Sequence, residues 1–136
     1  MAVRSQVQPT TWQGMSDAFN TECPAREVLD HITSRWGMLI LTTLTDGPLR
    51  FSELHTKIGG ISEKMLSQTL RTLGRDGLIA RTVEPSTPPR VSYELTELGH
   101  GLTESLHQFL GWIRQHTAEV IAAQRRHDRQ RIAPAT

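Results

Sequence analysis

Two consecutive glycines, Gly59-Gly60, separate a short amphipathic stretch from a longer one that opens at a serine and closes at a glycine. In the first stretch, Phe51 to Ile58, the residues Phe51, Leu54, His55 and Ile58 share one helical side. In the second, Ser62 to Asp76, Ser62 can accept from the otherwise unpaired N–H groups of the first turn. Leu66, Leu70 and Leu73 form an inward stripe, and Gly77 supplies the left-handed stop. Helix, tight glycine turn and capped helix together make a helix-turn-helix, a unit that must find neighbours to cover its apolar sides.

The flanking segments supply those neighbours. Pro24 fits the first position of a helix over Pro24 to Thr33, with Val28, Leu29 and Ile32 on one side. Trp36 to Leu44 is apolar almost all round, as a buried central helix requires, and Asp46-Gly47-Pro48 ends it. Ile79 to Glu84 and Val91 to Leu95 are strand-like on either side of Pro85-Ser86-Thr87-Pro88-Pro89, whose prolines stiffen the tip of a projecting hairpin. Thr96 then caps a long helix in which Leu98, Leu102, Leu106, Phe109 and Ile113 recur at steps of four, four, three and four. The predicted fold is mainly α with a small β-hairpin wing: a dimeric winged helix-turn-helix. Residues 1–22 are read as a flexible N-terminal arm and 23–124 as the folded domain. Residues 125–136, with Arg125, Arg126, Arg129 and Arg131, are read as a disordered basic tail.

Composition narrows the possibilities. A chain of 136 residues makes one domain, and 37% hydrophobic residues is lean enough to expect a second copy to complete the core. Val28 and Leu29 on the first helix, with Leu102, Leu106, Phe109 and Ile113 on the last, are the expected dimer interface, and Trp12 on the arm is available to pack on the partner. No apolar run reaches membrane-spanning length, and Met1 to Phe19 lacks the apolar segment of a secretory leader, so a cytoplasmic protein without a membrane partner is expected. No phosphate-cradling GxxxxGK, no GxSxG elbow and no HExxH motif occurs, which speaks against an enzyme. His100, Glu104 and His107 could share a face of the long helix, but such residues usually make an exposed ridge; no metal and no cofactor are expected.

The net charge of +1 argues for no particular partner, but its distribution does. Met1 to Ile61 has five bases and six acids, and Val91 to Thr136 five and five. Ser62 to Arg90 has five bases and three acids, net +2. Within that segment Lys64, Gln68, Arg71 and Arg75, at steps of four, three and four, make one ridge opposite the leucines, with Ser67 beside them. A helix lying in a DNA major groove needs such long donors: arginine to fork onto guanine, glutamine to pair with adenine, serine and lysine for phosphates. Arg90, on the stiffened hairpin tip, can reach a minor groove or a phosphate. A winged-helix protein-interaction module, whose ridge meets an acidic partner without specific DNA readout, is the alternative.

These residues carry a family resemblance. Cys23-Pro24, Arg35-Trp36, Gly47-Pro48-Leu49-Arg50-Phe51-Ser52-Glu53-Leu54, Ile61-Ser62-Glu63-Lys64-Met65-Leu66, Asp76-Gly77-Leu78 and Pro88-Pro89-Arg90-Val91-Ser92-Tyr93-Glu94-Leu95-Thr96-Glu97-Leu98-Gly99 occur in the order seen in HxlR-type regulators, relatives of the MarR proteins. The resemblance spans roughly Cys23 to Val120 and implies a dimeric winged-helix transcription factor with double-stranded DNA as its partner. By position it implies that Ser62, Lys64, Met65, Ser67, Gln68 and Arg71 face DNA, that Arg50 approaches a phosphate, and that Arg90 sits at the wing.

Cys23 is the sole cysteine. At the start of the first helix the unpaired N–H groups and Arg26 favour negative charge, while Glu22 and Glu27 oppose it. In the resembling family a cysteine at this place serves some members as an oxidant or electrophile sensor and others not. A sensor and a small packing residue therefore remain two readings of the same position.

Overall fold

Proline and hydroxyl caps set the helix starts. The computed structural model describes residues 22–132. Helix α1, Pro24–Ile32, begins with its proline just inside an extended Cys23. Helix α2, Arg35–Thr43, is capped by Ser34, whose Oγ accepts from the Gly37 N–H at 3.0 Å. A single 3-10 turn, Leu44–Asp46, follows. Strand β1, Leu49–Arg50, leads directly into α3, Phe51–Lys57, where the Glu53 carboxylate accepts from the Arg50 N–H at 2.8 Å. Helix α4, Glu63–Arg75, starts under Ser62, whose Oγ accepts from the Met65 N–H at 3.0 Å. It stops at Gly77, which takes the left-handed φ of +78°.

Strands β2, Ile79–Glu84, and β3, Arg90–Leu95, form the expected hairpin, and the prolines occupy its exposed tip. The sheet has three strands in the order β1-β3-β2, all antiparallel; Leu49 pairs with Tyr93 and Arg50 with Ser92. The third strand was not expected from the sequence, because two residues carry no alternation to read.

Helix α5, Glu97–Ile132, is 36 residues long, about 54 Å at 1.5 Å per residue. Thr96 joins its start to the end of α4: the hydroxyl donates to the Gly77 carbonyl at 2.6 Å and accepts from the Gly99 N–H at 3.1 Å. The expected tail at Arg125 is corrected here, since the chain stays helical to Ile132. Arginine, glutamine and alanine are good helix formers, and a helix already nucleated extends at little cost. The expected arm lies outside the described residues except for Glu22, and Trp12 lies outside them too.

The core gathers Ile40, Leu41 and Leu44 from α2 and its turn, Leu54, Ile58 and Ile61 from α3 and the following turn, and Leu66, Leu70 and Leu73 from α4. Leu78, Ile79 and Leu95 from the sheet and Leu106 from α5 complete it. Leu106 corrects a second expectation. Expected on the dimer surface, it is 7% exposed and packed in its own chain's core. Leu102 is half-buried against that core, while Val28, Leu29, Phe109 and Ile113 are exposed. Beyond Leu106 no residue of α5 is buried.

Candidate nucleic-acid interface

The leucines of α4 turn inward, so helical geometry turns the opposite side outward. Ser62, Lys64, Met65, Gln68, Arg71 and Arg75 are all exposed, and Ser67 is half-buried. Arg71 is held along the helix by donating from Nη1 to the Ser67 hydroxyl at 3.0 Å. Glu63, in the first turn, is an acid where the helix dipole favours one, and it lies off the ridge. At the other end, Nη1 of Arg75 stands 3.9 Å from the Glu27 carboxylate of α1. Both groups are largely solvated, so that pair holds weakly.

The wing brings a second group of cations alongside. Arg50, at the end of β1, and Arg90, at the start of β3, line one cleft of about 520 Å³ with Ser52 and Ser86. Ser86 is itself tied across the tip, its hydroxyl donating to the Pro88 carbonyl at 2.8 Å. A neighbouring cleft of about 440 Å³ runs between α4 and the sheet, lined by Ser67, Arg71, Arg81 and Tyr93 over Leu70 and Ile79. Arg81 and Tyr93 are paired positions on β2 and β3. Sequence reasoning missed both. Period-two alternation places Arg81 on the same side of β2 as the buried Ile79, and that was the signal available.

Among the described residues no three of His, Cys, Asp or Glu gather closely enough to hold a metal ion. His107 lies 3.3 Å from the Thr45 hydroxyl through its Nε2. His31 pairs with Asp76, a contact the sequence did not suggest. Cys23 is half-exposed at the start of α1, and its side chain takes no part in capping. No helix among the described residues is long and apolar enough to cross a membrane.

A helix-turn-helix with a three-stranded wing, exposing a cationic helix and a cationic tip on adjoining elements, defines the class of winged-helix DNA-binding regulators. Within that class the chain belongs to the HxlR-like helix-turn-helix family, whose sequence model matches residues 31–120. It is 47% identical over 118 residues to the uncharacterised HTH-type transcriptional regulator YtfH of Escherichia coli, covering 87% of this chain and 94% of that one. The solved structure of ytfH from Salmonella typhimurium is similar with a TM-score of 0.75 at 47% identity, over 79% of this chain and 96% of the other. The redox regulator HypR in its oxidised form is similar with a TM-score of 0.64 at 34% identity, over 68% and 96%. The chain is thus a transcriptional regulator of the helix-turn-helix type and not an enzyme.

Proposed function

We propose that the protein acts in the cytoplasm as a homodimer that reads a near-palindromic operator in double-stranded DNA, and that Cys23 makes this binding responsive to oxidants or electrophiles. The observation that carries the reading is the acid-free line of exposed Lys64, Gln68 and Arg71 on α4, next to a cationic wing. Arg71 and Gln68 are the base readers; Lys64, Ser62 and Ser67 hold phosphates, and Met65 offers an apolar contact to a thymine methyl. Arg50 and Arg90 meet the backbone on either side of the wing cleft, and Arg75 closes the ridge.

Pairing is supported by α5. Phe109 is 53% and Trp112 54% exposed, and Ile113, Val120 and Ile121 are exposed further along a helix that has left its own core behind. Val28 and Leu29 on α1 and Leu102 on α5 extend that apolar surface. One recognition helix covers only a few base pairs. Two, about 34 Å apart, meet successive major grooves and lengthen the site read.

If each subunit contacts about four phosphates, log affinity falls against log salt with a slope of about −7. Titration of an operator duplex between 50 and 200 mM salt, roughly the range over which such slopes are read, checks this. A flat response would remove DNA as the partner of the ridge and favour the protein-interaction module.

HypR, a solved neighbour, is described as a redox regulator, and the half-exposed Cys23 is available for the same kind of chemistry. With a single cysteine in the chain, the products open to it are a bridge between subunits, a mixed disulfide, an adduct or a sulfenic acid. Footprinting on the region upstream of the protein's own gene, with and without diamide, is expected to show protection lost or altered by the oxidant. Cys23→Ser is expected to hold its footprint under both conditions. An identical response from that variant eliminates the sensor.

A further inference from the structure

Asp76 stands where helix physics disfavours an acid. It caps the C-terminal end of α4, the negative pole of the helix dipole, and its side chain is only 9% exposed, so water does little to offset the repulsion. The carboxylate is met instead by a residue 45 positions earlier: Oδ2 lies 2.7 Å from Nδ1 of His31, in the last turn of α1. A carboxylate can only accept, so Nδ1 carries the hydrogen and donates it. The other ring nitrogen, Nε2, is 3.9 Å from Glu27, the same carboxylate that Arg75 approaches. The last turn of α1 is therefore fastened to the last turn of α4 by one short, half-buried hydrogen bond, with a looser solvated pair beside it. Apolar packing contributes beside it through Ile32, which is half-buried against the core, while no residue of α1 is fully buried.

We infer that His31 is a positioning residue for DNA readout: through Asp76 it fixes the angle at which α4 leaves the body of the domain, without touching DNA itself. The inference rests on the reading of α4 as the recognition helix. Thirteen residues make α4 roughly 20 Å long, so a tilt of about 5° at its foot moves the Lys64 end by nearly 2 Å. Side chains that must meet base edges tolerate about 0.5 Å. Because Val28 and Leu29 lie exposed on α1, the same hydrogen bond ties the angle of α4 to the surface proposed for pairing.

The test compares two amides at position 31. In His31→Asn the amide nitrogen takes the place of Nδ1 and can still donate to Asp76. In His31→Gln it takes the place of Nε2 and cannot. The probe is a duplex selected by the wild-type protein from a random pool, with a random-sequence duplex as control. His31→Gln is expected to lose about tenfold in affinity for the selected duplex and nothing for the control, a size usual for residues that act through another. His31→Asn is expected to stay within about twofold of wild type, well inside that tenfold loss. Hydrogen exchange without DNA gives an independent reading. The amides of Asp76, Gly77 and Leu78, which close the end of α4, are expected to exchange about tenfold faster in His31→Gln only. Equal affinities for the two variants, or unchanged exchange in a folded His31→Gln protein, overturn the inference. Should the wild type select no sequence, it is the DNA reading that fails, and exchange still decides whether His31 holds the end of α4.

Discussion

Replacing Lys64, Gln68 and Arg71 together by alanine is expected to abolish the distinction between operator and random duplex while the domain stays folded. The three side chains are exposed, and alanine is the best helix former, so stability should move by no more than about 0.5 kcal/mol. Each good bidentate contact to a base is worth about 1–3 kcal/mol of discrimination, and two such readers per subunit act in duplicate in a dimer. A specific-to-random affinity ratio of about a thousandfold or more should therefore fall toward one. Anisotropy titrations with both duplexes measure the ratio, and a thermal melt followed by circular dichroism confirms folding. A triple variant that still selects its target would move sequence reading away from α4 altogether.

The largest loss of stability is expected from adding a single methyl group, in Gly99→Ala. Gly99 is buried where α5 crosses the turn after α4, and a Cβ there would stand 2.2 Å from the Leu78 carbonyl oxygen and 3.1 Å from Leu95 Cδ2. The closer obstacle is backbone, held by the Thr96 N–H donating to that same Leu78 oxygen at 3.1 Å, so no rotamer change relieves it. Overpacking of this kind costs about 3 kcal/mol, a fall in Tm on the order of 10 °C. The same substitution twelve residues on has the opposite sign. Gly111 has nothing within 4 Å of an added Cβ and lies on the side of α5 away from the apolar stripe, so Gly111→Ala should stabilise by about 0.5–1 kcal/mol. Urea denaturation of both variants decides the matter, and a Gly99→Ala protein as stable as wild type would mean that α5 does not pack this closely.

Much of this domain could be read from spacing. Ser62 and Gly77 delimited α4 because a cap and a left-handed stop are local chemistry, and the leucine stripe between them left the ridge as its complement. What depends on distant parts of the chain was not legible. Strand β1 exists only because Tyr93 and Ser92 pair with it, more than forty residues away. The bond between His31 and Asp76 has no local signature at either residue. Leu106 belonged to a stripe broad enough to face two directions, and only the position of α2 decides that it turns inward. The length of α5 was underestimated because its last turns have no apolar periodicity, although their residues individually favour helix. Arg81 was readable in principle, since alternation along β2 sets it beside Ile79, and it passed as one charge among several in a wing.

The two-residue strand β1 has a mechanical consequence. Its second residue, Arg50, is also the cap of α3, so no slack separates the middle strand of the sheet from the first helix of the helix-turn-helix. The hairpin cannot rock as an independent flap, because any swing of β3 drags α3 with it. A protein wired this way should engage a duplex in one motion, with insertions at the proline tip tolerated and an insertion between Arg50 and Phe51 uncoupling the two halves of the grip.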